Sequence, residues 1–491
     1  MRRLLAILLL TALQVAAAAQ TNVLFIIADD ASRHFGGTNG CQWVRTPNID
    51  RLAKQGLVFD NAYAPTSKCA PCRAAILTGR NPWQLEEAGN HQPFFPAKFM
   101  AFSEALAKAG VHCGAGGKTW GPGEAKTADG SARNFALGGS GGKGGPGAGL
   151  AAFLKKRPEG APFFYWFGSH HPHRAYPPDS GIKAGKKPSD IDRVPAYWPD
   201  NDVVRRDMLD YALEVEAFDA EVGALLAALE ASGEARRTLV IVTSDHGMPF
   251  PRVKGHTYDD AHHIPFVVAW PEGIAKPAGR VADFISFIDL APTFLELFGV
   301  DGPGGGMAPI TGRSFTDLLR GEAQTARPFV IVGRERNDVN ARAGAPAGLG
   351  YPARAIREGS FFYVQNFASD RWPCGDPDRG LRDTDAGPTK ALIEALGEGD
   401  AYWQHAFGKR PAEQLFDLAT DPDCMKNLAA DPAFAKKAAA LRETLMAELK
   451  KQSDPRALGK GDVFEQYLSP QLKVRPAPKT PPNGSEKPGK L

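Results

Sequence analysis

Cysteine is scarce in this chain: six in 491 residues, at positions 41, 69, 72, 113, 374 and 424. That is too few to staple a fold of this length, so the core has to come from apolar packing over two domains. Long apolar runs are absent as well. The N-terminal stretch 4–10 falls well short of the roughly 20 residues that a membrane-spanning helix needs. With Met1-Arg2-Arg3 before it and Ala17-Ala18-Ala19-Gln20 after it, the segment reads as a cleavable signal peptide over residues 1–19. This predicts export, to a bacterial periplasm or beyond, with no stable membrane insertion. No cysteine directly follows, so a lipoprotein anchor is not expected. One-sided charge is lacking too: 58 Lys and Arg face 55 Asp and Glu, a net charge of +3. Nothing in that balance calls for nucleic acid, and none is expected as a partner.

Two tempting motifs fail on spacing. Gly114-Ala115-Gly116-Gly117-Lys118-Thr119 resembles a phosphate loop, but its glycines are misplaced and no clear helix follows. His170, His171 and His173 form a histidine cluster with no Cys or carboxylate at zinc spacing, so a substrate-facing loop is expected there.

The informative stretch is Cys69-Ala70-Pro71-Cys72-Arg73-Ala74-Ala75-Ile76-Leu77-Thr78-Gly79-Arg80. Proline early and glycine late predict about two turns of helix. Cys69 then lies at the helix entrance, where free N–H groups favour negative charge, with Arg73 one turn on. A potential nucleophile and a fixed cation share an anion-handling site.

Buried-strand patterns carry further polar groups to strand ends. Residues 22–28 run into Asp29-Asp30, residues 162–168 into Ser169-His170-His171-Pro172-His173-Arg174, and residues 238–244 into Asp245-His246-Gly247, with Lys254 in the next loop. Residues 265–270 are a fourth strand. Helices are predicted from Thr46, over 102–109, over 203–232 and over 286–298, and a glycine-dense loop over 130–149. Alternating strands and helices predict a mainly parallel sheet covered on both faces. Its carboxyl edge is where ligands of open α/β sheets bind. A shorter C-terminal unit follows, with strands near 329–332, 360–364 and 414–418 and a helix over about 432–451. The expected division is a catalytic domain over 20–325, a smaller domain over 326–472, and a Pro/Lys/Gly-rich flexible tail over 473–491.

The Cys69–Arg80 run resembles the signature of the type I, formylglycine-dependent sulfatases, with Cys72 where Ser or Ala is usual. The likeness extends from Asn22 to about Gln471 and is nearest the heparan N-sulfatase group. It rests there on Met248-Pro249-Phe250-Pro251, His171-Pro172-His173-Arg174, Thr311-Gly312-Arg313-Ser314, Leu415-Phe416-Asp417-Leu418 and Asn427-Leu428-Ala429. The resemblance implies an alkaline-phosphatase-like α/β sandwich with a smaller α+β domain bearing an antiparallel sheet. It implies that Cys69 is oxidised to formylglycine by a formylglycine-generating or radical maturase, leaving an odd number of cysteines. It implies one Ca²⁺ held by Asp29, Asp30, the residue-69 oxygen, Asp245 and His246. Arg73, Lys118 and Lys254 would hold the sulfate and the aldehyde hydrate, and His173 would serve as general acid.

Substrate contacts are expected from His171, which replaces the group's Asp, and from Arg174. The second domain is expected to reach the pocket rim through Glu335, Arg336, Asn337 and Arg354. In the family's Gly-Lys-x-His the last position deprotonates the hydrate, whereas here it is Trp120. Either His112, His170, His171 or His256 substitutes in space, or elimination is slow, or hydrolysis has been lost. The implied activity is removal of sulfate from a sulfated glycan, N-sulfoglucosamine first. The alternatives are a glycan O-sulfatase, a phosphatase or phosphonate hydrolase, and an inactive glycan-binding relative. A homodimer is left open.

Overall fold

The computed structural model describes residues 21–139, 144–322 and 326–474. The expected signal peptide and the tail from residue 475 lie outside the described residues. The chain runs β1 (Asn22–Ala28), α1 (Pro47–Gln55), β2 (Leu57–Tyr63), α2 (Cys69–Thr78), α3 (Phe102–Lys108) and β3 (His112–Gly117). Next come α4 (Pro146–Lys156), β4 (Phe163–Gly168), α5 (Asp202–Ala231), β5 (Thr238–Ser244), β6 (Phe266–Ala269), β7 (Gly279–Ser286) and α6 (Leu290–Leu297). Then follow β8 (Phe329–Arg334), β9 (Ala353–Glu358), β10 (Phe361–Asn366), β11 (Glu413–Asp417) and α7 (Ala435–Lys451).

The large sheet has the order β3-β4-β1-β5-β6-β2-β7. All its pairings are parallel except those of β6, which runs antiparallel to both β5 and β2. The β1 sequence explains why it lies in the middle. Val23, Phe25 and Ile27 face a layer containing Ile76 of α2, Phe102 of α3 and Phe294 of α6. Leu24, Ile26 and Ala28 face the opposite layer, with Leu52 of α1, Phe153 of α4 and Phe218 and Val222 of α5. Both faces are therefore dry, and each large side chain so buried contributes roughly 1.5–3 kcal/mol. This is why the run reads as continuous apolar sequence rather than as alternation.

The second sheet, β8-β9-β10-β11, is antiparallel throughout. It does alternate: Val332, Phe362 and Phe416 face a cluster that includes Tyr63 at the end of β2, while Ile331, Tyr363 and Leu415 pack on Leu441, Leu445 and Leu449 of α7. The expected sandwich and antiparallel second sheet are both present.

Four of these strands, β2, β3, β7 and β9, and one helix, α4, escape the sequence patterns. His112–Gly117 is the sheet edge, because Gly114 and Gly116 leave room for the Phe153 and Tyr165 rings that a Cβ would strike at 2.4–2.7 Å. β7 is half exposed and β9 carries charges, so neither reads as an apolar run. The expected loop over 130–149 ends early, since α4 already begins at Pro146.

Candidate active site

Sheet register places the site. Gly117 pairs with Gly168, Gly168 with Ile27, and Ala28 with Ser244. Lys118, Ser169, Asp29 and Asp245 therefore leave four adjacent parallel strands at one edge, and the entrance of α2 meets that edge. Cys69 is the first residue of α2, behind the N-cap Lys68, and Gly79 closes the helix in the left-handed conformation. Every residue of α2 is buried.

Cys69 Sγ lies 3.4 Å from Asp29 Oδ1 and 3.3 Å from His246 Nε2. His246 Nε2 is also 3.2 Å from Asp30 Oδ1 and 3.6 Å from Asp245 Oδ1. The Asp30 backbone, at φ 78°, donates its N–H to Asp245 Oδ1 at 3.1 Å. A non-glycine residue in that region is strained, and such strain concentrates at functional sites. Cations surround the acids. Lys118 Nζ bridges both Asp29 oxygens at 2.8 and 2.7 Å, Arg73 Nε binds Asp245 Oδ2 at 2.9 Å, and Lys254 Nζ binds Asp30 Oδ2 and Asp385 Oδ2 at 2.8 Å each.

These contacts set the protonation states. Burial pushes the Asp30 carboxyl up to about 6 against the pull of Lys254 and His246. Burial opposes charge on His246, yet Asp245 and Asp30 carry it up to about 9. Burial and Asp29 raise the Cys69 thiol, and Lys118, Lys254 and His246 overcome both, leaving it well below the ordinary thiol value. An anion at residue 69 is what this site stabilises.

The ligand atoms of Asp29, Asp30, Cys69 and His246 all lie within 4.8 Å of one another, and buried Asp30 Oδ1 has no hydrogen-bond partner. Two converging carboxylates, one with an oxygen that lacks a hydrogen-bond partner, fit a divalent cation such as Ca²⁺, with the sulfur of Cys69 and the nitrogen of His246 as the softer members of the set. Asp245 borders this group through its 3.6 Å approach to His246.

A cavity of about 750 Å³ opens over Cys69, lined among others by Lys118, Trp120, His171, His173, Arg174 and Lys254. Its size suits a sugar-sized ligand.

The sulfatase family profile matches residues 21–136 and 148–300. The chain belongs to the sulfatase family. Human N-sulphoglucosamine sulphohydrolase is 29% identical, with 94% of this chain and 96% of that protein covered. An ulvan-active sulfatase of Formosa agariphila is 26% identical over 86% of this chain and 74% of its own length. A solved structure in complex with its substrate D-glucosamine-2-N,6-O-disulfate superposes with a TM-score of 0.62 at 19% identity, covering 91% of this chain and 99% of that one. The phosphonate monoester hydrolase of Agrobacterium radiobacter gives 0.63 at 18% identity, covering 88% and 96%. The last two likenesses show the fold.

In this sulfatase the side chains expected at the site fall into two groups. Asp29, Asp30, Cys69, Arg73, Lys118, Asp245, His246 and Lys254 converge as described. His173 joins them, its Nε2 3.9 Å from Asp30 Oδ2 and its Nδ1 2.5 Å from the Arg174 carbonyl oxygen. His171 reaches the cavity wall with Nδ1 2.6 Å from Glu214. Arg174 touches the cavity too, but its guanidinium is spent on both oxygens of Asp207, at 2.8 and 2.7 Å, and on the Pro249 carbonyl.

The expectation that Glu335, Arg336, Asn337 and Arg354 reach the rim is corrected. Arg354 is fully buried and bonded to Asp454 and Glu335 at 2.8 Å each, and Glu335 also takes Arg456 at 2.8 Å. Arg336 donates to the Tyr467 carbonyl and Asn337 to that of Gly255. Buried charges tend to be paired, and Glu335 and Arg354 are satisfied by each other and by Asp454 and Arg456 away from the cavity, whereas Arg336 keeps Nε and Nη2 without a hydrogen-bond partner. The second sheet's side of the molecule instead reaches the cavity through Asp338, one residue past that run, and Asp385.

Sequence reasoning also missed Lys68, His91 and Glu214 on the cavity wall. Lys68 adjoins the signature and could have been found by position. Asp385 lies in a loop with no pattern around it.

Proposed function

We propose that this chain removes sulfate from a sulfated glycan, with the N-sulfate of glucosamine as the first substrate. It would use a formylglycine made from Cys69 by a maturase and one Ca²⁺. The observation that carries the reading is the setting of Cys69 at a buried helix entrance, 3.4 Å from Asp29 and ringed by Lys118, Lys254 and Arg73. The choice of sugar is supported by the chain-long likeness to human N-sulphoglucosamine sulphohydrolase.

Cys69 Sγ stands where the oxygen of the oxidised side chain would be. When present, that oxygen supplies the nucleophile and the cation a Lewis acid for the sulfate. Asp29, Asp30, Asp245 and His246 would hold the cation. Arg73, Lys118 and Lys254 would neutralise sulfate oxygens, since each stands against a carboxylate of this cluster, Arg73 against Asp245, Lys118 against Asp29 and Lys254 against Asp30. His173 would protonate the departing amine or alcohol from Nε2, because its Nδ1 is engaged by the Arg174 carbonyl. We further infer export through cleavage of residues 1–19, and a division near residue 325 between the sheet that carries this site and the antiparallel unit.

The test is sulfate release by protein co-expressed with a maturase, on N-sulfated and 6-O-sulfated glucosamine disaccharides, with Cys69→Ala as control. Release from the N-sulfated sugar, abolished in the control, is expected. Release from the 6-O-sulfated sugar alone would move the assignment to a glycan O-sulfatase.

A further inference from the structure

Trp120 occupies the position where the family signature has its proton-accepting histidine. Its indole Nε1 donates to the Ala70 carbonyl at 3.0 Å and its ring abuts Phe95 and Phe135, so it walls the cavity and offers no base. None of the histidines that sequence alone nominates combines a buried ring, an orienting carboxylate and a place on this cavity wall. His112 stacks on Phe153 at the edge strand, and His256 lies buried 2.9 Å from Cys374 Sγ. His171 is tied to Glu214, and His170 is exposed on the cavity wall.

A fifth histidine has the required attributes. His91 is 6% exposed and lines the cavity beside Cys69. Its Nδ1 lies 3.0 Å from Asp338 Oδ1, and the other oxygen of Asp338 accepts from Lys68 Nζ at 3.0 Å. The His91 N–H donates to the Arg336 carbonyl, which fixes the backbone. Its Nε2 is buried and has no hydrogen-bond partner. An acid-oriented imidazole with one free nitrogen, on the wall of the cavity that also holds the reacting residue, is the arrangement of a general base.

We propose that His91, oriented by Asp338 and Lys68, is the base that frees residue 69 from sulfate in this sulfatase. This rests on the function proposed above. The proton on the remaining hydroxyl of the oxidised residue 69 passes to His91 Nε2. The electron pair of that O–H becomes the second carbon–oxygen bond. The carbon–oxygen bond to sulfate breaks and its pair leaves on the sulfate. No oxidant or reductant is consumed. The 334–338 segment thus has a role at the reaction centre through Asp338, although its neighbours Glu335 to Asn337 do not.

Two measurements test this. In the unconverted chain, the His91 imidazole nitrogen resonance in ¹⁵N-histidine-labelled protein should move on Cys69→Ala; a resonance that ignores the substitution overturns the proposal. In matured enzyme, His91→Gln and Asp338→Asn should slow sulfate release, His91→Gln by about 10²–10⁴-fold. The peptide bearing residue 69 should then be recovered one sulfuryl group heavier by mass spectrometry, with the thermal midpoint retained. Slow release with an unsulfated peptide would mean that His91 serves the first transfer or only the packing, and would overturn the assignment. Failure of the substrate reading looks different. The unsubstituted enzyme would then leave both sugars intact and its own peptide unsulfated, while the His91 nitrogen still responded to Cys69→Ala in support of their proximity.

Discussion

Arg354 and Arg73 are both arginines with no solvent exposure, and they do different work. Arg73 points its guanidinium at Asp245 and the carbonyls of Lys118 and Thr119, at the edge where substrate charge would develop. Arg354 is enclosed by Asp454, Glu335 and the ring of Trp83. Removing one member of a buried, hydrogen-bonded ion network strands the others and costs about 3–5 kcal/mol. Arg354→Ala should therefore lower the unfolding free energy from denaturant titration by that amount and leave the KM for sulfated sugar unchanged. A raised KM with unchanged stability would return Arg354 to the substrate site. From sequence the two arginines differ only in context. Arg73 lies inside a recognisable signature, whereas nothing around Arg354 announces Asp454 as its partner one hundred residues on.

At the scale of elements, α5 is a rack of carboxylates. Asp207 grips Arg174, Asp210 accepts N–H groups from Asp179 and Gly181, Glu214 holds His171, and Asp219 caps the entrance of α1 through the N–H groups of Asn48 and Ile49. The helix itself is legible from its period, but the use of its acidic face is not, because acids on a long helix ordinarily meet water. A fifth carboxylate anchors the far end of the sheet. Glu234 accepts from Arg237, Arg157 and Asn22, and the Arg237 hydrogen bond foremost pulls it down to about 2. A lowered carboxylate pKa stabilises the fold above the unfolded value of about 4.3, and that stability fades as pH falls toward the folded value. Discounted for solvent around the cluster, it is worth on the order of 1 kcal/mol. Glu234→Gln should thus cost stability at pH 7 and little at pH 2.5, measured as the difference in urea midpoint at the two values.

For the whole molecule, the edge of the large sheet gathers Asp29, Asp30 and Asp245 in one buried cluster, and this is where a bound cation would couple to folding. A ligand that binds only the native state adds RT ln(1 + [L]/Kd), about 2.7 kcal/mol at one hundred times Kd. Calcium should raise the thermal midpoint in a concentration-dependent way, and chelation should reverse the rise. Asp30→Asn should lose the response. A midpoint indifferent to calcium in the unsubstituted chain would count against the cation.

Much was decided by the sequence itself. Long buried strands read as apolar runs because both faces are dry, strand ends show their acids because a run has to stop at the sheet edge, and the signature around Cys69 is local enough to be read whole. The tertiary structure alone decided which distant charges meet. It turned Arg354 inward onto Glu335 and Asp454, brought Asp338 and Asp385 to the cavity, and set His91 on the wall of the cavity that holds Cys69, where Trp120 offers no base. Burial and pairing across hundreds of residues settle those roles, and neither leaves a period or a motif in the chain.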